Sequence, residues 1–131
     1  PFSNTLINTI QHIRDIQEAA TKGNSKAKLA LDVFVSEARR WIGGYFFQMN
    51  GADAIVFTAG IGENRAELRA AICANLDQLG IVLDPAKNAA LRATEGEISA
   101  ANSRVKIFVI PANEELVVAR ETVRCIQAGR N

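Results

Sequence analysis

Apolar positions recur along this 131-residue chain at helical spacing in some stretches and as short continuous runs in others. The run Ile13-Arg14-Asp15-Ile16-Gln17-Glu18-Ala19-Ala20-Thr21, entered at His12, suits a short helix stopped by Lys22-Gly23-Asn24. From about Lys26 to Met49, the residues Leu29, Val33, Phe34, Ile42, Tyr45, Phe46 and Met49 fall at mixed three- and four-residue spacing. That spacing predicts one long helix, about 35 Å from end to end. Asn24 or Ser25 can cap its start, Gly43-Gly44 is a point where it can bend, and Asn50-Gly51 ends it. Ala54-Ile55-Val56-Phe57 is short and uniformly apolar, as expected of a strand covered on both faces. A helix follows from Arg65 to about Leu79, with Asn64 as its cap and Glu67 completing an arrangement like a capping box. Ile81-Val82-Leu83 reads as a short strand, Pro85 opens a helix to about Ala93, and Glu97-Ile98 reads as a short edge strand. Val105–Ile110 is the second clear strand, and Asn113 caps a last helix from Glu114 to about Gln127. Residues 1–11 show no clear period and stay unassigned. Strands alternating with helices predict an α/β layer structure.

Composition leaves this picture intact. An apolar fraction of 48% and a charged fraction of 22% are globular values, and the length suits one domain. A net charge of +1 gives neither a nucleic-acid footprint nor an acidic tail. Cys73 and Cys125 are too few for a disulfide framework or a zinc site, and both read as small buried hydrophobes. No window approaches the roughly 20 apolar residues of a membrane span, and no signal peptide is visible. A reducing cytoplasm is the expected compartment. The start at Pro1, without a methionine, fits an excised part of a longer protein.

The sharpest local feature is the segment Asp53–Leu68, where a buried strand runs into a loop with glycines at 60 and 62 and a helix opens at once. Glycine permits sharp turning and close approach of backbone to a ligand. The opening turn of a helix offers unpaired N–H groups that favour phosphate. The segment is neither the G-x-x-x-x-G-K-[ST] phosphate loop nor the G-x-G-x-x-G dinucleotide fingerprint. On these grounds a nucleotide site and an ordinary strand-to-helix turn both remain open.

The residues Phe57-Thr58-Ala59-Gly60-Ile61-Gly62-Glu63-Asn64 resemble the C-terminal signature of acetate kinases, within the superfamily of sugar kinases, actin and heat-shock chaperone ATPases. The resemblance continues through Arg69, Leu79-Gly80-Ile81, Leu83-Asp84, Val109-Ile110-Pro111, Asn113-Glu114-Glu115-Leu116 and Ala119-Arg120-Glu121-Thr122. Upstream it includes Gly23-Asn24, Ala27–Asp32, Ile42-Gly43 and Tyr45, so it spans roughly residues 10–127 in order.

The resemblance implies the C-terminal lobe of a ribonuclease H-like, actin-like ATPase fold, a mixed sheet flanked by helices. In the family that sheet has five strands; only two are clear from this sequence. It implies that Gly60, Ile61, Gly62, Glu63 and Asn64 lie against the adenosine and phosphates of ATP or ADP. Apart from that role, Glu63 and Asn64 suit the start of a helix. An Asp-x-Arg unit of the family aligns with His12, Ile13 and Arg14, so His12 replaces an acid. A carboxylate accepts ribose or purine donors freely, whereas neutral histidine has one acceptor. Glu114 aligns with a magnesium-site residue, although an acid in a first helical turn also complements the helix dipole without any metal. Glu115 reads as solvated.

Complete family members are much longer. Their first lobe carries the remaining groups for magnesium, acetate and acetyl phosphate, and none of it is in this chain. The implied function is therefore part of an Mg2+-dependent acetate kinase, inactive by itself. Propionate kinase shares these motifs, while Gly62-Glu63-Asn64 argues against butyrate kinases and Asn113-Glu114-Glu115 against sugar kinases. A non-catalytic dimerisation module is the reading from another class. The family dimerises through this lobe, and Trp41, Tyr45, Phe46 and Phe47 give the long helix a broad apolar surface. That surface is expected to pack mostly against the chain's own sheet. Gly62→Val is expected to exclude the nucleotide sterically.

Overall fold

The computed structural model describes residues 13–128. In chain order they form α1 (Ile13–Thr21), α2 (Ser25–Gln48), β1 (Ala54–Phe57), α3 (Ala59–Asn64) and α4 (Ala66–Cys73). A 3₁₀ turn (Asp77–Leu79), α5 (Pro85–Ala90), β2 (Gly96–Glu97), β3 (Lys106–Val109) and α6 (Glu114–Ala128) complete the chain. His12 and residues 1–11 lie outside the described residues.

α2 starts where its cap predicts. Asn24 Oδ1 accepts from the N–H groups of Lys26 and Ala27 at 3.0 and 3.1 Å. The helix runs unbroken through Gly43-Gly44 and ends at Asn50 and Gly51, whose φ values of 57° and 107° are left-handed. The sheet has the order β1-β3-β2, with β1 parallel and β2 antiparallel to β3. The expected α/β architecture with a mixed sheet is thus present, with three strands among the described residues. Ile98, Ile107 and Val109 are fully buried, with Phe57, Ile72, Cys73, Ile81 and Val105 around them. Phe34, Val35, Ala38, Ile42 and Phe46 of α2 pack on this cluster. Each large side chain so buried contributes about 1.5–3 kcal/mol.

Several expectations are corrected. Among the described residues β1 lies at one edge of the sheet, and Val56 is 48% exposed, so its apolar run does not mean two covered faces. The helix expected to reach Leu79 stops at Cys73. Asn75 turns left-handed (φ 56°), and Arg39 Nη1 donates to the carbonyls of Ala71, Ile72 and Ala74 at the helix end. Ile81–Leu83 is no strand but carries a single bridge, Leu83 to Ser99, because Ser103 Oγ takes up the Val82 N–H at 3.0 Å. α5 ends at Ala90 rather than about Ala93, where φ is 46°. The edge strand is Gly96–Glu97 rather than Glu97–Ile98.

Cys73 is buried as expected, whereas Cys125 is exposed on α6. The outer face of α2 is not covered by the sheet: Trp41, Tyr45 and Phe47 are 56%, 55% and 86% exposed. α6 likewise exposes its side chains from Glu115 to Gln127. Among the described residues, no helix is long and apolar enough to cross a membrane.

Candidate functional site

Because β1 and β3 are parallel, their carboxyl ends open onto the same edge of the sheet. Ligands of open α/β sheets bind along such edges. β1 leads through Thr58 into α3, and β3 leads through Pro111-Ala112-Asn113 into α6. The segment expected as a glycine loop is therefore a short helix, wound directly off the strand. Ala59 enters it with φ 59°, a left-handed value uncommon for a residue with a side chain. Strained backbone of this kind clusters at ligand-holding turns.

Placing α3 here changes the roles of its residues. Asn64 does not cap α4. It sits in the last turn of α3, and its Nδ2 donates to the Gly60 carbonyl at 3.0 Å. Arg65 occupies the cap position instead, with no side-chain capping bond. Glu63 is also not at a helix start. Its side chain is buried, and Oε1 accepts from the Ala112 N–H at 2.8 Å, tying the end of α3 to the loop after β3.

The two glycines differ. A Cβ on Gly62 would lie 3.2 Å from the Phe57 carbonyl carbon, so Gly62 lets α3 press against β1. A Cβ on Gly60 would meet nothing within 4 Å. Gly60 is therefore the glycine that faces open space, and Gly62→Val would disturb the strand before any ligand.

Ala59 and Gly60 form a ridge between two clefts. One, about 720 Å³, is lined by Ile13 and Arg14 of α1, by Thr58 to Ile61, and by Arg65. The other, about 400 Å³, is lined by Ala59, Gly60, Glu63, Ala112, Asn113 and Glu115. The structure thus brings Ile13 and Arg14, distant in sequence, to the wall facing Gly60 and Ile61. Arg14 lies 3.9 Å from Glu18, an exposed pair of little consequence for stability. A third open cleft, about 550 Å³, lies at the opposite edge, between Gly51-Ala52-Asp53 and Arg104-Val105. It is remote from the ridge.

One residue escaped sequence reasoning except as part of the motif. Arg69 is 1% exposed, and all five of its N–H donors are used. Nη1 donates to the carbonyls of Gly62 and Glu63 at 2.8 and 2.9 Å. Nε donates to Asn88 Oδ1 at 2.7 Å, and Nη2 to the carbonyls of Asn88 and Leu91 at 2.9 Å each. Asn88 is buried too, and its Nδ2 donates to the Ala66 carbonyl at 2.8 Å. Burial lowers the Arg69 pKa from its ordinary value. Apart from the motif, its signal in sequence was an arginine within an otherwise apolar stretch, Leu68 to Cys73.

Among the described residues, no three His, Cys, Asp or Glu side chains converge on a cation position. Glu63 Oε1 already accepts from the Ala112 N–H, and a hard cation takes six or more oxygens. The described side chains do not make a metal site by themselves.

The acetokinase family matches residues 5–120 of the chain. Acetate kinases of Syntrophomonas wolfei and Methanosarcina thermophila are 52% identical over 110 residues and 51% identical over 114. These alignments cover 84% and 87% of this chain. The chain spans only about 28% of the length of those curated relatives. Among solved structures, Porphyromonas gingivalis acetate kinase superposes with a TM-score of 0.79 at 34% identity, covering 88% of this chain and 29% of that one. A propionate kinase from Francisella tularensis gives 0.72 at 40% identity, covering 83% and 27%. The fold matches theirs, as the resemblance implied, and the chain belongs to the acetokinase family.

Proposed function

We propose that this chain is the nucleotide-holding part of an acetate kinase, which moves a phosphoryl group reversibly between ATP and acetate. In the forward direction an acetate oxygen bonds to the γ-phosphorus and the bond to the bridging oxygen breaks, giving acetyl phosphate and ADP. Such transfer depends on positioning and on stabilisation of charge. The observation that carries this reading is the ridge of Ala59 and Gly60 at the carboxyl edge of β1, facing Ile13 and Arg14 across an open cleft.

In this reading Gly60 and Ile61 lie against the adenosine, with Gly62 shaping the turn and Asn64 holding it through Gly60. Arg14 and Ile13 form the opposite wall, and His12, which precedes them in the sequence, is the remaining candidate contact. Glu63 joins the turn to Ala112 through Oε1 and lines the second cleft beside Gly60. Glu114 would supply one carboxylate to an Mg2+ ion, whose other ligands come from the nucleotide, water and the rest of the kinase. Acetate and acetyl phosphate are held outside this chain. The exposed faces of α2 and α6 suit a homodimer, and the protein works in the cytoplasm.

The test is hydroxamate-trapped acetyl phosphate formation by the full-length protein from ATP and acetate, with propionate in parallel. Acetate should give the higher kcat/KM. A reversed preference assigns the protein to propionate, and turnover with neither overturns the kinase reading.

A further inference from the structure

Behind the ridge, the turn is held by a buried cation that touches no carboxylate. An arginine fully out of water is costly, and an apolar residue of similar volume would usually suffice for packing. Arg69 is retained where the carbonyls of Gly62 and Glu63 point backward from the end of α3. Its fork spans from those two acceptors to Asn88 and Leu91, so it clasps α3 to α5 and its exit. Gly62 lies against the Phe57 backbone and the Glu63 side chain binds Ala112, so the turn is fixed on its inner sides. The face left free is Gly60, which looks into both clefts.

We propose that Arg69, braced by Asn88, is a positioning residue that sets the shape of the Ala59–Asn64 turn in which the nucleotide is received. This rests on the nucleotide reading of the cleft. Arg69 does not touch the ligand; it acts through the carbonyls it holds. Lysine cannot replace it, because one ammonium with three donors cannot reach five acceptors spread over two elements.

The test compares the full-length protein with its Arg69→Lys and Asn88→Ala variants by amide hydrogen exchange and by calorimetric titration with ADP. In Arg69→Lys, exchange of the Arg65 amide, bonded to the Ile61 carbonyl, should accelerate at least tenfold. The Ile98 amide, bonded to Ile107 in the core, should keep its protection. The Kd for ADP should rise at least tenfold, with Asn88→Ala between the two. Unchanged exchange at Arg65, or acceleration shared equally by Ile98, overturns the proposal, as does unchanged ADP affinity in a variant with a loosened turn. If Arg69→Lys does not fold, Asn88→Ala carries the same comparison. A wild-type protein that does not bind ADP overturns the nucleotide reading, and the exchange ratio still decides whether Arg69 holds the turn.

Discussion

The back of the Ala59–Asn64 turn and the outer face of α2 are opposite ways of treating side chains. Behind the turn, charged and polar groups are buried and matched: Arg69 uses five donors, Asn88 both ends of its amide, and Glu63 the N–H of Ala112. On α2, Trp41, Tyr45 and Phe47 stand in the open, with Arg40 over the Trp41 ring at 4.8 Å. The first region is finished within this chain. The second leaves three large aromatic side chains of one helix uncovered among the described residues. Polar residues here mark a completed interior, and the exposed apolar ones mark a candidate contact surface.

This contrast can be broken from either side. The largest effect is expected for Arg69→Leu, which strands the carbonyls of Gly62, Glu63 and Leu91 together with Asn88. Each unpaired group costs about 1–3 kcal/mol, so urea denaturation should show a loss above roughly 3 kcal/mol or no cooperative transition. Gly62→Ala should cost about 1–3 kcal/mol, since its methyl meets the Phe57 backbone at 3.2 Å. Gly60→Ala, with open space around it, should stay within about 1 kcal/mol in the same assay. Trp41→Ala should change stability by no more than about 0.5 kcal/mol while shifting sedimentation of the full-length protein toward monomer. An equal sedimentation profile would detach this face from assembly.

The two cysteines sharpen the comparison at smaller scale. Burial pushes the Cys73 thiol up to about 11, from an ordinary value of 9.0. A raised folded pKa means the unfolded chain loses its proton first, so this contribution holds below about pH 9 and fades as pH rises toward 11. Iodoacetamide at pH 8 should therefore label exposed Cys125 and spare Cys73, read by peptide mass. Equal labelling would show that the Cys73 pocket opens readily.

Local signals made much of the fold legible. Asn24 caps α2, Pro85 opens α5, and the run ending at Val109 is the central strand. Periodicity could not reveal where Asn75 would turn left-handed and cut α4 short, nor that Val56 of β1 would be exposed. The family motif located the turn, but a motif does not say which side of a glycine faces a ligand. That depends on Phe57 behind Gly62 and on empty space before Gly60. Arg69 was hardest to read, because four of its five acceptors are main-chain carbonyls that no sequence pattern displays.

The most direct measurement is calorimetric titration of ADP into the full-length protein and its Gly60→Val variant, with thermal melts of both. Saturable binding is expected for the wild type, lost in Gly60→Val while the melting temperature stays within a few degrees. Wild-type affinity retained in Gly60→Val, or no binding by the wild type, would contradict the assignment of this turn to the nucleotide.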